Sequence, residues 1–103
     1  DITSESKKQL DILIQKMKTE KRALLFIKSY CDCRGTDKYN IGLSWKRSKA
    51  IKEYLIAGGI NPKRIATKSM GATNFVNNCI KAEDCTEQEH ALNRRSEFEI
   101  KFP

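Results

Sequence analysis

The sequence predicts a two-layer α+β domain in which helices cover one small sheet, and three observations carry the prediction. The hydrophobic patterns read helix, strand, helix, strand, helix, strand along the chain. The length of 103 residues suits one domain with one core, and no internal repeat or low-complexity segment is present. The composition, 39% hydrophobic and 32% charged, makes that core small and the surface heavily charged.

The first helix starts from Thr3 or Ser4 as its N-cap, since a hydroxyl there accepts a hydrogen bond from an orphan backbone N–H. Leu10, Leu13, Ile14 and Met17 share its apolar face, and Lys7, Lys8, Lys16 and Lys18 occupy much of the rest. Ala23 to Ile27 is a continuous apolar run that extends through Ser29 and Tyr30, the pattern of an internal strand. Thr36 or Asp37 caps a second helix reaching about Ala57, where Gly58 and Gly59 supply the stop. Asn61-Pro62 forms a tight turn, with proline at a first helical position where its missing N–H does no harm. Ile65 to Met70 is the second strand and Gly71 ends it. Residues 72–85 form a polar, Asn-rich loop. Thr86 and Glu89 have capping-box spacing, so a short helix runs to about Asn93. From Arg95 to Phe102 the chain alternates strictly, with Phe98, Ile100 and Phe102 on a core face and Glu97, Glu99 and Lys101 opposite.

One charge stands out against this pattern. At helical spacing Leu43, Ala50, Ile51, Tyr54 and Leu55 make the buried face of the second helix, and Arg47 lies on the same stripe. An arginine cannot shed its proton to escape burial, so it needs an anion within reach or a wet pocket. Asp32, at the far end of the preceding Gly-containing loop, is the nearest candidate.

The formal net charge of +7 permits a nucleic acid, an anionic polymer or a membrane surface as partner. The positive charges are spread along the helices, which reads mainly as solvated faces. No apolar run approaches the roughly 18 residues that span a bilayer. No signal peptide opens the chain, and a start at Asp1 without Met reads as a piece of a longer protein.

Of the four cysteines, Cys79 and Cys85 are read as a disulfide closing a small loop. Cys31 and Cys33 are too close for an easy bridge to each other and point to one side of an extended segment. Zinc held with His90 is the alternative, although C-x-C and C-x5-C are not the spacings of a common zinc module. His90 itself is expected to be solvated. Trp45 either stacks on a sugar ring or packs among lysine stems. No Ser/His/Asp set is present, which argues against an enzyme, and no metal or cofactor is expected.

The pieces Asp32-x-x-Gly35, Asp37, Tyr39-Asn40, Leu43-Ser44, Arg47, Gly58-Gly59-Ile60, Arg64-Ile65, Gly71 and Asn93-Arg94-Arg95 keep an order and spacing that resembles the OmpA-like peptidoglycan-binding domain of Gram-negative cell envelopes. The resemblance covers nearly the whole chain, so residues 1–103 are expected to be a single such domain from a longer envelope protein. It implies a βαβαβ-type sheet packed on helices with its first strand truncated. It also implies non-covalent binding of peptidoglycan through the diaminopimelate of the stem peptide, on the periplasmic side of the outer membrane, anchoring an outer-membrane protein or lipoprotein to the wall. In the family pattern the acid, here Asp32, meets the ligand ammonium, and the arginine, here Arg47, meets a ligand carboxylate. Asn40 and Arg94 match further positions lining that pocket. A membrane is then met only through the missing N-terminal part, and pairing of two copies is left open. The competing reading is a basic nucleic-acid-binding α+β domain, but no strip of interleaved aromatic and basic residues supports a nucleic acid as partner.

Three departures from the family pattern carry expectations of their own. Family members open with an aromatic-rich strand, of which only Asp1 and Ile2 remain here, so the sheet lacks a strand or takes one from a neighbour. Tyr30-Cys31 replaces the usual His-Thr before the acid and sets a thiol beside the ligand. The 72–85 loop is longer than the simplest form of the pattern and is placed to shade the pocket or meet another partner.

Overall fold

A computed structural model of the chain describes residues 2–77, 79, 83 and 85–102. Helix α1 spans Ser4–Thr19 and is capped by Thr3, whose hydroxyl oxygen accepts from the Ser6 N–H at 3.1 Å. Strand β1 is Leu24–Tyr30, and helix α2 is Asp37–Ala57 behind a Thr36 cap. A single 3-10 turn, Pro62–Arg64, leads into β2, Ile65–Gly71. Helix α3, Glu87–Asn93, starts from the full Thr86–Glu89 capping box, and β3 is Ser96–Lys101. The predicted elements are all present, and the fold is the predicted two-layer α+β one.

The sheet has the order β2-β1-β3, with β1 parallel to β2 and antiparallel to β3. As the central strand, β1 carries the continuous apolar run that marked it in the sequence. Leu25, Ile27 and Ser29 are buried beneath the helices, whereas Leu24 and Phe26 are half-buried and Lys28 is exposed on the open face. The core joins Leu10, Ile14 and Met17 of α1, Leu25 and Ile27 of β1, Ile51 and Leu55 of α2, and Ile60 and Ile65. Gly58 permits close approach of α1 and α2, because a Cβ there would stand 2.5 Å from Ile14 Cδ1. Arg64 ties the far end of α1 to β1 by donating to the carbonyls of Met17, Glu20 and Ala23 at 2.8 to 3.1 Å, which satisfies acceptors that the helix end leaves open.

Two expectations about burial are corrected. The buried face of α2 is Asn40, Ser44, Ser48, Ile51 and Leu55, and Leu43 is 37% exposed. The first half of α2 lies on the strand ends through small hydroxyls instead of apolar groups. Ser48 Oγ donates to Ser29 Oγ at 2.7 Å, Ser29 Oγ meets Ser96 Oγ at 2.8 Å, and Ser44 Oγ accepts from the Gly71 N–H at 3.2 Å. Buried hydroxyls are tolerated there because each finds a partner. Arg47 accordingly sits beside the buried face, half-buried.

The second correction concerns β3. Phe98 lies opposite Ile27 and Ile100 opposite Leu25, so these side chains point to the helical side as predicted. Phe98 and Phe102 nonetheless remain 43% and 60% exposed, because α2 lies over β1 and the β2 edge and leaves the β3 edge open. Of the truncated opening strand, Asp1 lies outside the described residues, and Ile2 packs partly buried against the core. Among the described residues, no helix is long and apolar enough to cross a membrane.

Candidate functional site

The site begins with a slip in the sheet. Ser29 faces Ser69, but Tyr30 faces Gly71, so β2 carries one extra residue at Met70. The Cys31 N–H then donates to the Gly71 carbonyl at 2.7 Å, and the chain leaves the sheet at Asp32. This is the carboxyl end of two parallel strands, the edge at which α/β sheets open crevices. Asp32 Oδ1 accepts the Arg34 N–H at 3.0 Å and closes a local turn. Gly35 follows in the left-handed region at φ +92°, and a Cβ there would also meet Tyr39 Cδ2 at 3.0 Å. Thr36 then caps α2, which aims its first turns back over the loop.

A cavity of about 260 Å³ lies between this loop and α2, lined by Cys31, Asp32, Arg34, Gly35, Tyr39, Asn40, Leu43, Arg47 and Arg94. All four residues expected to bind ligand, Asp32, Asn40, Arg47 and Arg94, surround this one space. Its charged groups are one carboxylate and three guanidinium groups, and the Asn40 amide stands beside them.

The pairing inside it differs from the expected one. Asp32 does not pair with Arg47. Its Oδ1 accepts from the backbone N–H and Nε of Arg34 at 3.0 and 3.3 Å, and its Oδ2 accepts from Arg34 Nη2 at 2.7 Å and Arg94 Nη1 at 2.8 Å. Burial by itself pushes the Asp32 carboxyl up, but the hydrogen bonds from Arg34 and Arg94 outweigh it and hold the group well below the usual carboxylate range. Asp32 therefore stays ionised in ordinary conditions. Glu87, in the first turn of α3, joins the same network through Arg34 Nη1 at 2.9 Å and Arg94 Nη2 at 2.7 Å.

With Asp32 taken, Arg47 Nη1 donates to the Tyr30 carbonyl at 2.8 Å, and no described carboxylate lies within ion-pair distance of it. Arg47 thus adds an unneutralised cation to the cavity wall, which answers the demand for an anion or a wet pocket with the latter. Asn40 is buried, and its side-chain amide has no hydrogen-bond partner among the described residues. Cys31 lines the cavity as expected, but its thiol donates to the Asn40 carbonyl at 3.1 Å, and burial pushes it up in pKa.

Around the cavity, Cys79 and Cys85 form the expected disulfide, and Cys31 and Cys33 are free thiols. His90 is not solvated. It is 2% exposed, with Nδ1 3.9 Å from Cys33 Sγ, because α3 turns His90 and Asn93 inward together. Trp45 is exposed with Lys49 Nζ 5.1 Å from its ring centre, the lysine-packed arrangement. Among the described residues of the 72–85 loop, none lines the cavity; residues 78, 80–82 and 84 lie outside the description. Residues 76 and 77 are instead tied to α3 through Asn93, whose Oδ1 accepts the Val76 N–H and whose Nδ2 donates to Asn77 Oδ1.

Sequence reasoning missed Arg34 and Glu87. The position of Arg34, two residues after an acid whose side chain starts a turn, was the available signal for the first. Nothing local marked Glu87, since its partners come from a loop more than fifty residues earlier and from the far end of its own helix.

Residues 1–89 match the family model described as OmpA family. The chain is 33% identical over 96 residues to outer membrane protein A of Bordetella avium, covering 93% of this chain and 47% of that protein. It is 33% identical over 91 residues to the peptidoglycan-binding protein ArfA of Mycobacterium tuberculosis, covering 88% of this chain and 26% of the other. The chain therefore spans less than half the length of either relative. Among solved structures, the peptidoglycan-associated lipoprotein from Burkholderia pseudomallei superposes with a TM-score of 0.88 at 24% identity, covering 98% of this chain and 81% of that one, a likeness of fold.

Proposed function

The chain belongs to the OmpA family, and from that premise we propose that it binds peptidoglycan non-covalently through the diaminopimelate of the stem peptide. On this reading it is a binding module, one domain of a longer protein held at the periplasmic side of a Gram-negative outer membrane, and it anchors that protein to the cell wall. A relative with peptidoglycan binding in its name supports the class of partner.

The observation that carries the ligand is the cavity wall: an ionised acid at Asp32 and, among the described residues, an Arg47 guanidinium without a carboxylate partner and an Asn40 side-chain amide without a hydrogen-bond partner, around one space. The far end of a diaminopimelate side chain presents an ammonium and a carboxylate on one carbon. Asp32 is acceptor-only and suits the ammonium, while Arg47 offers a planar fork to the carboxylate. Asn40 adds a donor or an acceptor beside them, and Arg94 holds Asp32 in place. Modest affinity at each site suffices, because the wall is a repeating polymer met at high effective concentration.

Co-sedimentation with isolated wall sacculi tests the partner. The protein should pellet with them and stay bound between about 50 and 200 mM salt, since two ligand charges in a shaped pocket respond mildly. A protein reading phosphates through several contacts would lose on the order of a thousandfold over that range. Release on that scale, or no retention at all, would refute wall binding.

A further inference from the structure

The Asp32 carboxylate is full. Four N–H donors occupy its two oxygens, two on each, and a carboxylate offers about four lone-pair sites. A ligand ammonium therefore cannot simply add to Asp32; a donor already there has to leave. This inference rests on the reading of the cavity as a diaminopimelate site.

The structure singles out the donor that leaves. The Arg34 backbone N–H is fixed by the turn, and of the two guanidinium-bearing side chains on Asp32 that of Arg94 is the less exposed, at 30%. The Arg34 side chain is 43% exposed, and its third nitrogen already lies 2.9 Å from Glu87 Oε2. Glu87 is itself 64% exposed, and it offers Oε2 to Arg34 while Oε1 stays on Arg94 Nη2 at 2.7 Å. We propose that Arg34 is an internal occupant of the ligand's ammonium position, and that Glu87 is the positioning residue that receives the Arg34 guanidinium when the ligand displaces it. Each cation keeps a carboxylate in the exchange: the ammonium replaces Arg34 on Asp32, and Arg34 stays on Glu87. Without Glu87, the displaced arginine would be released beside Arg47 and Arg94 with no counter-ion.

Arg34 then competes with the ligand, and Glu87 lowers the cost of that competition only while Arg34 is present. Titration calorimetry with free meso-diaminopimelate on the wild type, Arg34→Gln, Glu87→Gln and the double variant reads this coupling. Arg34→Gln should tighten binding about two- to fivefold, and Glu87→Gln should weaken it by a similar factor, the scale of one partly exposed ion pair. In the Arg34→Gln background, Glu87→Gln should lose most of its effect, keeping only what passes through Arg94, a non-additivity that a merely structural role would not produce. Weaker binding by Arg34→Gln, or the same loss from Glu87→Gln in both backgrounds, would overturn the exchange while leaving diaminopimelate as the ligand. Failure of the wild type to bind diaminopimelate at all would instead overturn the site's assignment, and the exchange with it.

Discussion

Asp32→Ala should weaken binding of a diaminopimelate stem peptide by about a hundredfold or more, enough to remove the signal from a calorimetric titration. Asp32 is the one carboxylate that lines the cavity among the described residues, and it sits among Arg34, Arg47 and Arg94. Deleting it withdraws the ammonium's partner and leaves three guanidinium groups facing the same space with only Glu87 to offset them. Truncating one member of a buried charge pair costs about 2–5 kcal/mol, and each 1.4 kcal/mol is about tenfold in affinity. Arg47→Ala should produce a loss of similar size by a different route. Among the described residues its fork meets no carboxylate, so its removal strips a ligand contact while breaking the hydrogen bond to the Tyr30 carbonyl. Circular dichroism of both variants should match the wild type. Undiminished binding by either variant would remove that residue from the binding site.

The second large effect is on stability. Leu25→Ala should cost about 2–5 kcal/mol in a urea unfolding experiment, because Leu25 is fully buried on the central strand and joins the core cluster from α1, α2 and Ile65. Against a typical total of about 5–15 kcal/mol, that is a large fraction and corresponds to a fall in thermal midpoint of roughly 10 °C or more. Phe98→Ala, a larger deletion in side-chain volume, should cost much less, about 1 kcal/mol or under, because the helices leave that edge of the sheet uncovered. Equal losses from the two would mean that the edge is covered in solution and that the exposure of β3 has been misjudged.

The contrast between those two positions shows where sequence patterns stop being informative. Alternation along β3 correctly put Phe98, Ile100 and Phe102 on one face, since the two-residue period is local. Whether anything covers that face depends on which edge of the sheet the helices lie over, a property of topology. The element boundaries were legible for the same local reason: Thr3, Thr36 and Thr86 cap helices, Gly58 and Gly59 stop one, and Pro62 starts a turn, each through its own backbone chemistry. The inner face of α2 was misread at its first half because Ser44 and Ser48 look like surface residues until Ser29 and Gly71 are seen to satisfy them. Likewise His90 reads as solvated in a polar seven-residue helix until that helix is laid across the loop that holds Cys33.

The ligand-binding residues were legible in two ways. Arg47 drew notice as a charge on an apolar stripe and Asp32 as the nearest anion to it, and the family spacing brought in Asn40 and Arg94; all four border one cavity. What remained hidden was the partner choice within it. Proximity in sequence favoured Arg47 for Asp32, whereas the turn at Arg34 and the arrival of Arg94 from the end of α3 fill that carboxylate and leave Arg47 facing the space. Four cationic and anionic groups can pair in several ways, and only their placement in three dimensions decides among them.

The most direct test of the account is a titration of the wild-type protein with two stem peptides that differ at one residue, one carrying meso-diaminopimelate and the other lysine. Lysine keeps the side-chain ammonium that Asp32 would hold and lacks the carboxylate that Arg47 would hold. Saturable one-site binding of the diaminopimelate peptide, with no detectable binding of the lysine peptide at the same concentrations, is the result predicted here. Equal binding of both peptides, or of neither, would contradict it.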